Sequence, residues 1–189
     1  MRYATVLAVV CATVGGCFSI VGSVVSLSPD YAQLPVEDLR QVANEIEEAV
    51  ATGNRAPQIA DRAGIVVNDE TIMQAIRTRA ARSEYTRKLL DGGHAWERRD
   101  GQLWIIRDNA YKVATSRKER DMNAQAVTDE ATNRWAIYEG LVKASHFPPR
   151  SLSAVQAVFF EARVARLGPG HKYESENGQV VAKGSEPTS

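Results

Sequence analysis

Asp129-Glu130-Ala131-Thr132-Asn133-Arg134-Trp135-Ala136-Ile137-Tyr138 opens the stretch whose reading decides the fold. Ser145-His146-Phe147-Pro148-Pro149-Arg150 interrupts it, and Gly168-Pro169-Gly170 closes it. Apolar residues before the interruption recur at helical spacing: Ala131, Trp135, Tyr138 and Val142 form one stripe, with Arg134, Ile137 and Leu141 beside it. Pro148-Pro149 forbids continuation. Ser151 is then the expected N-cap of a last helix, whose apolar face is Leu152, Val155, Val158, Phe159 and Ala162. Arg163 and Arg166 near its end complement the helix dipole. This is a helix–break–helix unit, and an aromatic stripe of this kind belongs to a core.

Upstream, Pro35 opens a helix to about Thr52. Leu39, Val42, Ala43, Ile46, Ala49 and Val50 lie on one face, and Glu37, Asp38, Glu45, Glu47 and Glu48 on the other. Gly53-Asn54 stops it. Residues 55–67, with Ile59-Ala60-Asp61-Arg62-Ala63-Gly64-Ile65, have the outline of a short helix and a Gly turn. A second helix would follow with Asn68 as N-cap, directing Ile72, Met73, Ile76, Ala80, Leu89 and Leu90 inward and Arg77, Arg79, Arg82, Arg87 and Lys88 outward. This is the outline of a helix-turn-helix nucleic-acid binder. Alanine-rich helix pairs in bundles share it, and an exported chain meets no DNA. Gly92-Gly93 ends the helix. Asp100-Gly101 between His94–Arg99 and Gln102–Arg107 predicts a hairpin with a two-residue turn, packing Trp96, Leu103 and Ile105 on helices. Helix resumes near Asn109. The polar interval Thr115–Ala124 reads as an exposed helix or loop, and the next helix as Asn123–Ala144.

The first residues address location. Tyr3 to Ser28 carries no charge, and Arg2 stands before it, as in a secretory leader. Val14-Gly15-Gly16-Cys17 resembles a bacterial lipobox, in which the Cys is acylated and becomes the mature N-terminus. Cys11 is the other of the two cysteines and lacks the small residues before it. An uncleaved anchor, or ordinary cleavage at Val21-Gly22-Ser23, are the alternatives. The expected organisation is a lipoprotein signal over 1–16, a lipid-anchored linker over 17–34, a helical domain over 35–173 and a flexible tail over 174–189. The fold class is mainly α: four to five helices with one short β-hairpin.

Charge is balanced, with 23 Lys plus Arg against 23 Asp plus Glu, so no global field favours nucleic acid. His94, His146 and His171 are widely spaced, no metal-ligand cluster or phosphate loop is present, and no cofactor or metal is expected. Asn133, Arg134 and Tyr138 are the candidate site. Structurally, Arg134 would pair with Glu130 one turn away, and Tyr138 would bury its ring while bonding a loop. Functionally, the set could grip a partner's carboxylate or a lipid head group.

Asn123 to Tyr138, Ala157-Val158-Phe159-Phe160 and Gly168-Pro169-Gly170-His171-Lys172-Tyr173 carry a family resemblance, together with Gly92-Gly93 and Gly101-Gln102-Leu103 upstream. Over roughly 72–173 the chain resembles the YdbL-like family of small exported bacterial proteins. That resemblance implies no enzymatic activity. Some members are encoded beside an AsmA-like lipid-transfer protein, which implies an envelope accessory role with a protein partner. A lipid or small-ligand carrier is the alternative. The expected location is the cell envelope, with the membrane reached through Cys17.

Overall fold

The computed structural model describes residues 29–184. The expected signal segment, Cys17 and the alternative cleavage site at Val21-Gly22-Ser23 lie outside the described residues. Ten elements follow in order: helices α1 (Val36–Ala51) and α2 (Glu70–Asp91), strands β1 (Ala95–Glu97) and β2 (Leu103–Ile105), helices α3 (Asn109–Ala114) and α4 (Arg117–Ala144), a 3-10 turn (Pro149–Ser151), helix α5 (Leu152–Arg166), and strands β3 (Lys172–Glu174) and β4 (Val180–Ala182). The protein is mainly helical with a small sheet, as the sequence patterns predict. Among the described residues no helix is long and apolar enough to cross a membrane.

The four long helices pack in a closed cycle: α1 on α2, α2 on α4, α4 on α5, and α5 on α1. Their shared core joins Leu39, Val42 and Ile46 of α1 to Ile72 and Ile76 of α2, Ile137 and Leu141 of α4, and Val155 and Phe159 of α5. Removing this apolar surface from water is the main force holding the cycle closed. α2 and α4 approach closely at Gly140. A Cβ on Gly140 would stand 2.6 Å from Ile72 Cγ1, so only glycine fits there.

Local chemistry sets the boundaries. Asp69, not Asn68, caps α2, accepting from Thr71 N and Ile72 N. Asn68 instead donates to Ile59 O and Asp61, and the Asp61 carboxylate accepts from Val67 N at 2.7 Å. These bonds hold residues 55–69 as a loop with no helix, and Ala63 adopts a left-handed φ of 42°. The first helix of a helix-turn-helix is therefore missing. The polar interval before Ala124 is helical, because Ser116 and Glu119 form a reciprocal capping box that starts α4 at Arg117. Ser151 caps nothing: it lies in the 3-10 turn with a helical backbone, and its buried Oγ has no partner among the described residues.

The sheet is larger than the expected hairpin, with strand order β2-β1-β3-β4. β1 pairs antiparallel with β2 (Glu97 opposite Leu103) and parallel with β3 (Glu97 opposite Tyr173). β3 and β4 form a second hairpin, so residues 180–182 of the expected flexible tail are a strand. The β1–β2 turn is not the two-residue type either. Gly101 N donates to Arg98 O and Arg98 N to Gln102 O, while Gly101 has φ 82° and Asp100 stays at negative φ. This is a type I turn closed by a glycine bulge. The strand β1 turns Ala95 and Glu97 inward, not Trp96, and Trp104 is exposed.

An Ala at an interior helix position ordinarily stabilises over Gly by about 1 kcal/mol. Gly140→Ala is expected to do the reverse, lowering stability by about 1–3 kcal/mol through overpacking against Ile72. Urea unfolding that shows a more stable variant would contradict the close α2–α4 approach.

Candidate functional site

Charged residues interrupt the apolar face of every long helix. Glu47 lies one turn from Ala43 and Val50 on α1, Arg79 one turn from Ala75 and Ile76 on α2, and Arg163 one turn from Phe159 on α5. Glu130 and Arg134 do the same on α4, and Glu97 occupies the inward position of β1. All six are buried, although charged groups are rarely buried without a partner.

Together they form a closed ring that follows the packing cycle of the helices. Glu47 accepts two bonds from Arg79, at 3.0 and 2.9 Å. Arg79 Nε donates to Glu130 Oε1 at 3.0 Å, and Arg134 Nε donates to the same oxygen at 2.7 Å. Arg134 holds both oxygens of Glu97, at 2.7 and 2.9 Å. Arg163 closes the circuit, donating to Glu97 Oε2 and to Glu47 Oε1 at 3.0 Å each. Each carboxylate meets two guanidiniums and each guanidinium two carboxylates, so the charges cancel. The carbonyl of Gly101 accepts from Arg134, Arg163 and the Tyr138 hydroxyl, tying the hairpin turn to the ring. A Cβ at Gly101 would stand 3.0 Å from the Tyr138 ring.

The ring sets its own ionisation. Burial alone would raise Glu130, but Arg79 and Arg134 outweigh it and hold the carboxyl down to about 2. Burial likewise opposes the charge on Glu47 and Glu97. Arg79 and Arg163 prevail at Glu47, Arg134 and Arg163 at Glu97, and both carboxyls are shifted down. Burial disfavours the charged Arg134 too, yet Glu97 and Glu130 keep it protonated. Tyr138 is raised, first by burial.

The candidate residues divide accordingly. Arg134 makes the pair with Glu130 that their spacing predicts, and it is only 1% exposed. Tyr138 buries its ring against Phe159 and bonds the turn. Asn133 is outside the ring: its side chain donates to Asp129 O on its own helix. Trp135 of the expected inward stripe is 41% exposed. Arg163 braces the core and does not simply cap a helix end, while Glu47 and Arg79 leave the polar faces on which their residue types place them. Each histidine has local surroundings of its own. His94 packs edge-on against Tyr111, His171 stands 2.8 Å from Asp91, and His146 is an exposed residue at a left-handed position. Among the described residues no group of His, Cys, Asp and Glu could hold a metal ion.

The ring is not sealed. Its six members form part of the lining of an open cleft of about 170 Å³, with Val50, Leu90 and Leu167 as apolar wall and Arg87 and Arg166 among the remaining lining residues. Fold and site together define a small helical domain with a four-stranded sheet, braced internally by a closed circuit of ion pairs beneath a solvent-open cleft. Comparison with protein-family models, with curated proteins and with solved structures gives no match.

Removing one member leaves buried charge unpaired, which costs about 3–5 kcal/mol. Arg134→Ala is expected to lose that much in urea unfolding, because it strands Glu97 and Glu130 together. A loss below about 1 kcal/mol would contradict the geometry. Acid supplies a second check. The ring carboxyls have folded pKa values below their unfolded ones, so their stabilisation is present above about pH 4.5 and disappears as pH falls towards 2. Circular dichroism is expected to show cooperative acid unfolding in that window. Stability that instead rises as pH falls from 4.5 would contradict the paired state.

Proposed function

We propose that this chain is a non-enzymatic bacterial cell-envelope lipoprotein, tethered at Cys17, that serves as an accessory or interaction protein. The observation that carries the non-enzymatic reading is the commitment of the cleft carboxylates. Each of Glu47, Glu97 and Glu130 is claimed by two guanidiniums and shifted down, so at neutral pH none is a ready proton acceptor or donor. Such a set suits a brace better than a proton-transfer site.

The tether rests on Val14-Gly15-Gly16-Cys17 and the uncharged run around it. The envelope partner rests on the YdbL-like resemblance, whose relatives include neighbours of a lipid-transfer assembly. Exposed charge offers a contact surface. The side chains of Arg107, Lys112, Arg117 and Lys118 are exposed around the α3–α4 junction and make no hydrogen bond or ion pair among the described residues. Val113 stands in their midst, 89% exposed. This combination suits an acidic protein face with a small apolar recess.

Two measurements test the reading. Cys17→Ser is expected to abolish acyl labelling and release the chain from the membrane fraction, whereas an unmodified Met1 start on the membrane-bound protein would sink the lipoprotein assignment. A photo-crosslinker at Val113 in the native envelope is expected to capture one defined protein. Capture of lipid alone would remove the partner surface.

A further inference from the structure

We propose that the cleft above the charge ring is a binding site for a small carboxylate bearing a short apolar chain. This goes beyond the accessory reading and depends on neither the tether nor the protein partner. Three observations carry it.

The first is a surplus of donors. A guanidinium has five N–H groups, and Arg79 and Arg163 each donate three hydrogen bonds. The terminal nitrogens of both therefore retain N–H groups with no acceptor among the described residues, on side chains that line the cleft. An unmet guanidinium donor next to an open space donates to water at rest and, with both partners charged, more strongly to a carboxylate.

The second is charge. The ring cancels internally, but the lining adds Arg87 and Arg166 and no further acid. Arg166 is partly committed to Asn44 and the Ala162 carbonyl, with Glu48 at 3.5 Å. Arg87 is exposed, and its charge acts on Glu84 one turn earlier without a hydrogen bond or a close ion pair among the described residues. A cleft with neutral depth and cationic additions selects an anion and repels an amine.

The third is shape. Val50, Leu90 and Leu167 supply an apolar wall. The volume, about 170 Å³, is close to that of an apolar cavity of about 150 Å³ that takes up benzene. A molecule of roughly six carbons with one carboxylate fits these limits. Inorganic phosphate satisfies the charge but leaves the wall uncovered.

The test titrates the detergent-purified full-length chain calorimetrically at neutral pH, with detergent buffer as blank, a preparation that serves whether or not the chain is acylated. Hexanoate is expected to bind saturably, while hexylamine and inorganic phosphate bind at least tenfold more weakly. Arg87→Glu, at an exposed position with no hydrogen bond, is expected to change the melting temperature little and weaken hexanoate at least tenfold. Leu90→Ser is expected to weaken hexanoate while leaving phosphate unchanged. Absence of saturable hexanoate binding, equal binding of hexylamine, phosphate as tight as hexanoate, or an unaltered Arg87→Glu affinity would each overturn the proposal.

Discussion

Three arginines and three glutamates buried in one small domain can coexist only if every charge is answered, and the closed circuit through α1, α2, α4, β1 and α5 is how this chain answers them. Taking such groups out of water is expensive, and their mutual attraction does little more than repay the expense. The circuit is thus a weak source of net stability, and the apolar core supplies the driving force. What the circuit contributes is register. A helix turned or slid by one residue would strand a buried ion, so the correct packing is set apart from near alternatives that would bury the same apolar area.

That constraint reaches the sheet. Glu97 is the inward residue of a strand only three residues long, and it is held by Arg134 and Arg163 from two helices. Gly101 presents its carbonyl to the same arginines because the glycine bulge turns it towards Tyr138. A lone hairpin is marginal in water. Here it is fastened by charge on one side and extended by β3 and β4 on the other, and Glu97 reaches the cleft from it. The cleft can remain open because the charges beneath it neutralise one another.

Much of this was legible in the chain. The helix boundaries at Gly53 and Gly92, the break at Pro148-Pro149, and the Glu130–Arg134 pair follow from local chemistry. The ring as a whole is not legible from residue type, which assigns Glu47 and Arg79 to polar helix faces and Arg163 to a helix end. Glu47, Arg79 and Arg163 each sit at helical spacing with buried apolar neighbours, and that spacing was the available signal. The pairing of β1 with β3 leaves no such trace, since it joins two three-residue strands far apart in sequence. The loop at 55–69 deceived for a related reason: Asp61 bonds the backbone of Val67 and Asn68, a tertiary choice that helical spacing does not reveal.

Coupling between opposite charges separates a true circuit from six charges that happen to be close. Residues in one ionic network show interaction energies of about 0.5–3 kcal/mol in double-mutant cycles, whereas independent sites add to within about 0.5 kcal/mol. Urea unfolding of Glu97→Gln, Arg134→Met and the double variant measures this term directly. A closed circuit requires the double variant to be more stable than the sum of the single losses by at least about 1 kcal/mol. Additive losses would mean that Glu97 and Arg134 do not answer each other, and that the domain is held in register by its apolar core alone.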